Sequence, residues 1–352
     1  MNNTPAELRY PLAPNRPQAG QVLDVVDGVR WLRMSLPFAL DHINLWLLRD
    51  RIDGREGWTV VDTCIDHPAA RQAWEGVFAN HLDGLPVLRV VITHMHPDHM
   101  GLAHWLCERW QVPLWISLGD YLHARQGCGT VRGFGGDAAR AFFVRHGLTD
   151  PQHIEAVGLH GPRYGDMVPA VPGQYRRLLH DQVIRIGQRS WRCIVGHGHA
   201  PEHMALYDEA GGVLISGDMV LPRISTNISV YETEPEGDPL GLFLSSLDRY
   251  LALPADTLTL PSHGEPFVGL HTRVAQLKQH HAERLAELSE ACRTQPQTAL
   301  EMLPVLFKRP LDAHQLAFAM GEAIAHLHHL WHRQRLTRTV DAQGVYRFLA
   351  VE

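Results

Sequence analysis

The chain has 352 residues, of which 45% are hydrophobic and 20% are charged. These fractions lie near the average for globular proteins and exclude a fibrous or largely disordered chain. The length favours one large domain with a smaller second domain. A formal net charge of −6 excludes an overall basic surface of the kind that binds nucleic acid nonspecifically.

Cysteine usage and the N-terminal sequence bear on the cellular compartment. Five cysteines at wide spacings, without a CxxC pair, predict free thiols rather than a disulfide framework. The first residues lack the basic and apolar regions of an export signal, and no run of 18 apolar residues occurs. We therefore expect a cytoplasmic protein without a membrane partner.

Short strands and one helix are predicted in the first hundred residues. Residues 21–35 and 43–63 have the composition of short strands that are joined by turn-rich sequence, which indicates hairpins. Residues 69–82 show a helical pattern, and the apolar run at 87–94 predicts a buried strand. A short loop and a second helix follow this strand.

The rest of the chain divides into three parts. From about 119 to 179 helical patterns occur with little strand character, which predicts a helical insertion. Strands then return, and two of them are joined by the turn at 210–212. From about 269 to 352 three helical patterns precede a hairpin. We place the boundary between a large domain, 1–268, and a small domain, 269–352, near residue 268.

Four residues with metal-binding side chains lie within six positions after the buried strand. They are His94, His96, Asp98 and His99, in the pattern HxHxDH. Imidazole nitrogen and carboxylate oxygen are ligands for zinc, iron and manganese. The spacing predicts that the first two point to one metal ion and the last two to a neighbouring ion. A histidine-rich surface loop is the alternative, although an accidental match occurs only about once in 100 such chains.

The HxHxDH loop resembles the signature of the metallo-β-lactamase superfamily. Three later segments resemble the remaining motifs of this family in the right order: GHAPEH at 198–203, LISGD at 214–218 and PSHG at 261–264. VVDT at 60–63 resembles an upstream segment whose aspartate usually lies behind the ligands. The resemblance extends over about residues 20–266. It implies a four-layer αββα sandwich with a helical insertion and a small α+β domain at the C-terminus.

The resemblance also implies two metal sites that share a carboxylate. It assigns His94, His96 and His199 to the first site, Asp98, His99 and His263 to the second, and Asp218 to both. Asp62 is implied to support the ligands. A water between two such cations becomes hydroxide near neutral pH, and Asp98 is expected to orient it and to move a proton. Two zinc ions are expected, with manganese or iron as alternatives.

Three residues near these motifs need an interpretation. Cys64 stands where the family usually has glycine, and we interpret it as a buried thiol that packs as a small hydrophobe. His197 and His203 compete with His199 as ligands. We favour His199 because it fits the family motif, and we expect the other two to lie behind the ligands or at the surface.

The insertion is expected to cover the metal cleft. Its glycine-rich stretch at 127–136 lacks the ending of a phosphate-binding loop. Aromatic residues are candidates for the pocket wall, although core packing is an equal alternative for the first adjacent pair. These candidates are Phe134, Phe142, Phe143, Tyr164 and Tyr175.

The C-terminal segment resembles a winged-helix-like module that is appended to some of these hydrolases. From residue 269 it has ten Lys and Arg against eight Asp and Glu, which provides little of the positive stripe of a duplex-binding module. We expect it to pack on the large domain or to form a homodimer, with nucleic-acid contact as the alternative. Its histidines are expected to pack or to be solvated rather than to bind metal. These are His280, His281, His326, His328, His329 and His332.

The sequence favours a dinuclear metal-dependent hydrolase. A thioester or ester, of the acyl-CoA or acylglutathione kind, fits a helical lid and an acidic chain, so a small or acyl-carrier-linked substrate is expected. A metal-dependent endoribonuclease or phosphodiesterase acting on single-stranded RNA is the alternative, since such sites also serve phosphoryl chemistry. Weak basicity argues against it.

Other members of the family offer further alternatives. A secreted β-lactamase is disfavoured by the missing export signal, and a flavo-diiron protein is disfavoured because the early histidines are intact. Lactone hydrolysis and a mononuclear iron dioxygenase stay open.

Overall fold

Two β-sheets lie face to face at the centre of the molecule. This computed structural model describes residues 7–129, 135–158, 160–308, 310–311 and 313–351. None of the helices in these ranges is both long and apolar enough to cross a membrane.

Within those ranges, the first sheet has seven strands in chain order. They are β1 (Val22–Val26), β2 (Val29–Ser35), β3 (His42–Ile52), β4 (Arg55–Val61), β5 (Val87–Val91), β6 (Leu114–Ile116) and β7 (Tyr175–Arg177). Strands β1 to β4 are antiparallel, as the hairpin prediction requires. Strands β4 to β7 are parallel, with helical connections between them.

The second sheet has six strands in the described chain. They are β8 (Val183–Ile186), β9 (Arg189–Gly196), β10 (His203–Asp208), β11 (Val213–Gly217), β12 (Leu258–Pro261) and β13 (Phe267–Val268). Only the pair β11 and β12 is parallel among the described strands of this sheet. A separate hairpin of β14 (Leu336–Val340) and β15 (Tyr346–Ala350) lies near the C-terminus.

Helices cover the outer faces of the two sheets. The described helices are α1 (Pro68–Asn80), α2 (Pro97–Met100), α3 (Ala103–Trp110), α4 (Leu118–Gly127), α5 (Gly136–Arg145), α6 (Pro151–Gly158), α7 (His160–Met167), α8 (Pro239–Leu247), α9 (Leu270–Ala291), α10 (Ala299–Leu306) and α11 (Ala313–His332). Helices α4 to α7 form the predicted insertion, and α9 to α11 match the predicted C-terminal helices.

Alternating side chains divide the core into layers. On β9, Trp191 and Cys193 face the first sheet, whereas Ile194 faces the outer helices. On β3, Trp46 faces the second sheet and Leu47 faces α1 and its neighbours. Because successive side chains of a strand point to opposite faces, a strand with helices on one side and a sheet on the other is apolar throughout. The predicted αββα sandwich is confirmed.

The outer core of the second sheet includes residues from both predicted domains. Tyr207 and Phe243 share one buried cluster with Leu277, Met320 and Phe348. The helices after residue 268 are therefore part of the fourth layer. The predicted boundary near residue 268 divides the sequence patterns along the chain. It does not divide the hydrophobic core, which includes residues from both sides of it.

Helix α8 and strand β7 are among the elements that were not predicted from the sequence. Helix α8 begins at the cap residue Asp238, whose side chain accepts a hydrogen bond from the backbone N–H of Gly241 at 2.9 Å. Its Leu240, Phe243 and Leu247 are buried at helical spacing, which is a signal that the sequence carried. Strand β7 lies inside the expected insertion, where three residues pair with β6 at the sheet edge.

Candidate metal centre

The predicted ligands converge at one end of the sandwich. The HxHxDH loop follows β5, and the loops that carry His199, Asp218 and His263 follow β9, β11 and β12. Asp62 follows β4, which is parallel to β5. Strands of like direction end at the same edge of a sheet, so these five loops meet there.

The first group of candidate ligands is His94, His96 and His199. Their ligand atoms lie within 4.8 Å of one another. His94 Nε2 is 3.0 Å from His96 Nδ1 and 3.2 Å from His199 Nε2. Two nitrogens that bind one tetrahedral zinc ion lie about 3.3 Å apart, so this spacing fits a single cation.

The second group is Asp98, His99 and His263. Asp98 Oδ2 lies 3.5 Å from His99 Nε2 and 3.3 Å from His263 Nε2. Asp218 lies between the groups, because its Oδ2 is 3.4 Å from His199 Nε2 and its Oδ1 is 3.5 Å from His263 Nε2. The structure thus brings all seven predicted ligands together around Asp218. His94 also forms a group of this kind with His99 and Asp218, so the division into two sites stays a prediction.

Two buried atoms in this cluster indicate that a cation fits. His99 Nε2 and Asp218 Oδ1 have no hydrogen-bond partner within the described residues. A buried polar atom without a partner destabilises the fold by roughly 1–3 kcal/mol, and more if it is charged. A divalent cation would be a partner for both atoms, so the residues present fit the metal centre that the motifs imply.

Asp62 fixes the loop that carries four of the ligands. Its Oδ2 accepts a hydrogen bond from His99 Nδ1 at 2.8 Å, and its Oδ1 accepts one from the backbone N–H of Thr93 at 2.8 Å. The Thr93 hydroxyl also donates to Asp62 Oδ2. Because Asp62 occupies Nδ1 of His99, the Nε2 atom is left to face the site, and Asp62 lies behind the candidate ligands.

Backbone carbonyls orient two further ligands. His199 Nδ1 donates to the carbonyl oxygen of Asn227 at 2.8 Å, and His263 Nδ1 donates to that of His42 at 2.8 Å. Sequence reasoning missed both, because a carbonyl oxygen is present at every residue and leaves no signal.

Two buried polar side chains hold the ligand loops in place. The carboxylate of Asp120 accepts hydrogen bonds from the backbone N–H groups of Met95 and Glu202, which joins the first ligand loop to the one after β9. Asn44 donates to the carbonyl oxygens of Pro261 and Gly264 on either side of His263. Neither residue was predicted, and neither stands in a recognisable motif.

The three uncertain residues take distinct positions. His203 is buried, and its Nε2 accepts a hydrogen bond from the backbone N–H of Asp218 at 3.0 Å. His197 Nδ1 donates to the carbonyl oxygen of Pro201 at 2.7 Å. Cys64 is fully buried with a φ of +75°, a conformation that favours glycine. Burial, with a contribution from Asp98, raises the pKa of the Cys64 thiol to about 12.

Burial and neighbouring charges set the protonation of the imidazoles. Burial lowers the pKa of His94, and it lowers that of His96 to about 3. For His263, burial acts in the same direction, but Asp218 and Asp98 outweigh it and raise the pKa to about 10. The pKa of His99 is likewise raised, by Asp98, Asp62 and Asp218 against burial. A cation that binds the second group therefore has to displace protons.

A cavity of about 500 Å³, called here the apolar cavity, adjoins the metal centre. Its described lining residues are Phe38, Met95, His96, Pro97, Gly135, Ala139, Phe143, Val157, Tyr164, Asp166, Met167, Ser229, Val230, Tyr231, Glu232, Ala317, Phe318 and Gly321. Of the predicted wall residues, Phe143 and Tyr164 line it, and Phe134 lies outside the described residues. Phe142 is in the core instead, and Tyr175 stacks on Tyr121.

The C-terminal histidines lie apart from the candidate ligands. His281, His326, His328 and His329 are buried. His281 Nδ1 lies 3.2 Å from His326 Nε2, and His329 Nδ1 lies 3.0 Å from Asp238 Oδ1. None of them belongs to a group with ligand geometry among the described residues. This placement agrees with a packing role.

Comparisons with known proteins agree with this fold. The model of the Metallo-beta-lactamase superfamily matches residues 40–263, and the model of the Metallo-beta-lactamase-like, C-terminal domain matches residues 285–351. The chain is 24% identical over 336 residues to the probable metallo-hydrolase YqjP of Bacillus subtilis, covering 90% of this chain and 96% of the relative.

Two crystal structures resemble the whole chain. A beta-lactamase domain protein from Burkholderia ambifaria is 53% identical, with a TM-score of 0.92 and 98% of each chain covered. A metallo-beta-lactamase family protein from Thermus thermophilus is 27% identical, with a TM-score of 0.78, covering 93% of this chain and 100% of that one. The resemblance that the motifs indicated is confirmed: the chain belongs to the metallo-beta-lactamase superfamily.

Proposed function

We propose that the chain is a metal-dependent hydrolase of thioesters or esters. The observation that carries the proposal is that seven candidate ligands converge beside an apolar cavity, and that His96 belongs to both. A substrate that places its apolar part in this cavity would present its acyl carbon near the ligands. The name of the relative YqjP supports a metallo-hydrolase.

The candidate ligands and the residues that orient them have different roles in this proposal. His94, His96, His199 and Asp218 would hold one divalent cation, and Asp98, His99, His263 and Asp218 would hold another. When bound, two such cations supply a water of lowered pKa and positive charge for the developing oxyanion. Asp62, Asn227 and His42 hold the imidazoles so that each presents one nitrogen.

Asp98 is the residue that we assign to proton transfer. Its side chain is 18% exposed, compared with 10% for Asp218 and 2% or less for His99 and His263. Asp98 thus borders both the second group and solvent. The charges of His99 and His263 lower its pKa to about 2 although burial opposes this. A deprotonated Asp98 at neutral pH can accept a hydrogen bond from a water and so orient it, and its place at the border with solvent is what supports its assignment to proton transfer.

The cavity lining disfavours the RNA alternative. Its charged members among the described residues are Asp166 and Glu232, both acidic. Cleavage of single-stranded RNA depends on attraction of the phosphate backbone to cationic side chains. We therefore keep RNA only as an outcome of the test.

The test compares substrates on one metal-loaded preparation. We expect hydrolysis of acyl-CoA thioesters and aryl esters, and no cleavage of a labelled single-stranded RNA. His96→Ala should lower kcat/KM by more than about 100-fold because a ligand is lost. His197→Ala is the matched control, and it should retain activity because this residue bonds only the Pro201 carbonyl oxygen among the contacts described for its ring. RNA cleavage without thioester or ester turnover would overturn the proposal.

A further inference from the structure

The C-terminal helix forms part of the wall of the apolar cavity. Ala317, Phe318 and Gly321 of α11 line it, as do the ligand loop residues Met95 and His96. These α11 residues lie far along the chain from the metal motifs. The cavity is therefore complete only when the C-terminal segment is in place.

Close packing brings α11 to this position. A Cβ atom on Gly321 would lie 2.6 Å from the hydroxyl oxygen of Ser229, so only glycine permits the observed approach. Ser229 and the residues after it, Val230 to Glu232, also line the cavity. On the other side, the Tyr164 hydroxyl donates to the carbonyl oxygen of Met95 at 2.6 Å, which ties the insertion to the ligand loop. Both walls are thus anchored near the metal centre.

The lining selects the kind of group that can enter. Phe143, Val157 and Val230 supply apolar surface, whereas Asp166 and Glu232 supply negative charge. Glu232 also accepts a hydrogen bond from the backbone N–H of Gly135 at 2.6 Å. An uncharged alkyl chain gains from this environment, and a chain that ends in a second carboxylate is repelled by it.

We propose that the apolar cavity binds the alkyl chain of the substrate's acyl group, and that α11 sets the longest chain that fits. The inference rests on the proposed function and adds the substrate class: monoacyl esters or thioesters with an unbranched, uncharged alkyl chain. A volume of about 500 Å³ is within the range of sites that enclose a small ligand. Each methylene group that enters should strengthen binding about fourfold, until the chain reaches α11.

The test uses two series of increasing chain length. Binding of straight-chain alkanoates, from acetate to dodecanoate, is measured by calorimetry on metal-loaded and metal-stripped protein. The kcat/KM values of acyl-CoA thioesters of the same lengths are measured on the loaded protein. We expect both quantities to rise about fourfold per methylene and then to level off. Adipate should bind more weakly than hexanoate.

Variants of Ala317 on α11 test whether this helix sets the longest acyl chain that fits. Ala317→Phe, or the smaller Ala317→Leu, should shorten the optimal chain by several carbons compared with the parent protein. Ala282→Leu is the matched control, since Ala282 is exposed on α9 and does not line the cavity. An optimum that is unchanged in both Ala317 variants would overturn the role of α11.

The two proposals fail in different ways. Alkanoate binding that is independent of chain length, with normal turnover of acetyl substrates, would overturn the cavity proposal alone. Chain-length-dependent binding to the stripped protein, without turnover of any ester, would retain the cavity and overturn the hydrolase.

Discussion

At the scale of single residues, the candidate site depends on which nitrogen each imidazole presents. Asp62, Asn227 and His42 accept hydrogen bonds from Nδ1 of His99, His199 and His263, respectively. The free Nε2 atoms then face the cluster. Partners of this kind typically contribute about 10–100-fold to metal affinity.

Substitution of Asp62 tests directly whether the partner of Nδ1 contributes to metal affinity. In Asp62→Asn the carboxylate that accepts from both His99 and Thr93 is lost, so affinity for zinc at the second group should fall about 10–100-fold. Calorimetric titration of the stripped protein with zinc measures the change. Asp24→Asn, at an exposed position on β1, is the control. An unchanged affinity in a folded Asp62 variant would contradict the assigned role.

The sequence pointed to the candidate ligands but not to most of the residues that orient them. HxHxDH marked His94, His96, Asp98 and His99 by side-chain chemistry and spacing. The resemblance of the three later motifs to those of the family implied His199, Asp218 and His263. Asn227 and His42 act through backbone carbonyl oxygens, and Asp120 acts across a sequence separation of 82 residues. Such contacts arise only when the chain folds.

At the scale of elements, buried histidines on α9 and α11 make packing sensitive to acid. Burial lowers the pKa of His281 and His328 to about 3 and that of His326 to about 4. In the unfolded chain these groups titrate near a pH of about 6.5. Between about pH 6.5 and 4 the unfolded state binds protons that the folded state excludes, so stability falls as the pH falls.

A single substitution should reduce this acid sensitivity. His328→Asn can keep the hydrogen bond that Nδ1 donates to the Gly237 carbonyl oxygen, but it cannot titrate. Between pH 7 and pH 5 its free energy of unfolding should fall by about 2 kcal/mol less than that of the parent. Urea unfolding of metal-stripped protein measures both. His153→Asn, exposed on α6, should match the parent. Equal slopes in the parent and His328→Asn would contradict the assignment.

Elements whose hydrophobic residues recur at a regular spacing were predicted from the sequence. Short or interrupted elements were not. The apolar run that forms β5 and the patterns of α1, α9 and α11 stood out because each buries a regular face. Helix α8 was missed although Asp238 and Pro239 are a typical start, because strand and motif signals surround it. Strand β7 has three residues, which are too few to show a strand pattern in the sequence. They form a strand because they pair with β6.

At the scale of the whole molecule, the C-terminal segment is part of the enclosure of the site. Its helices share a core with the second sheet, and α11 lines the apolar cavity. This segment was predicted as a separate domain because strand patterns give way to helical patterns near residue 268. The sequence pattern shows the local periodicity of hydrophobic residues. It does not show which helix faces pack against the sheet, and this packing creates the shared core.

We propose that the seven candidate ligands bind two divalent cations and that hydrolysis requires both. The most direct measurement is a titration of chelator-stripped protein with zinc, in which metal content and thioester hydrolysis are followed together. We predict that activity is absent without metal and becomes complete at two ions per chain, and that Asp218→Ala holds fewer than two. Full activity in the stripped protein, or saturation at one ion per chain, would show that hydrolysis does not depend on two cations.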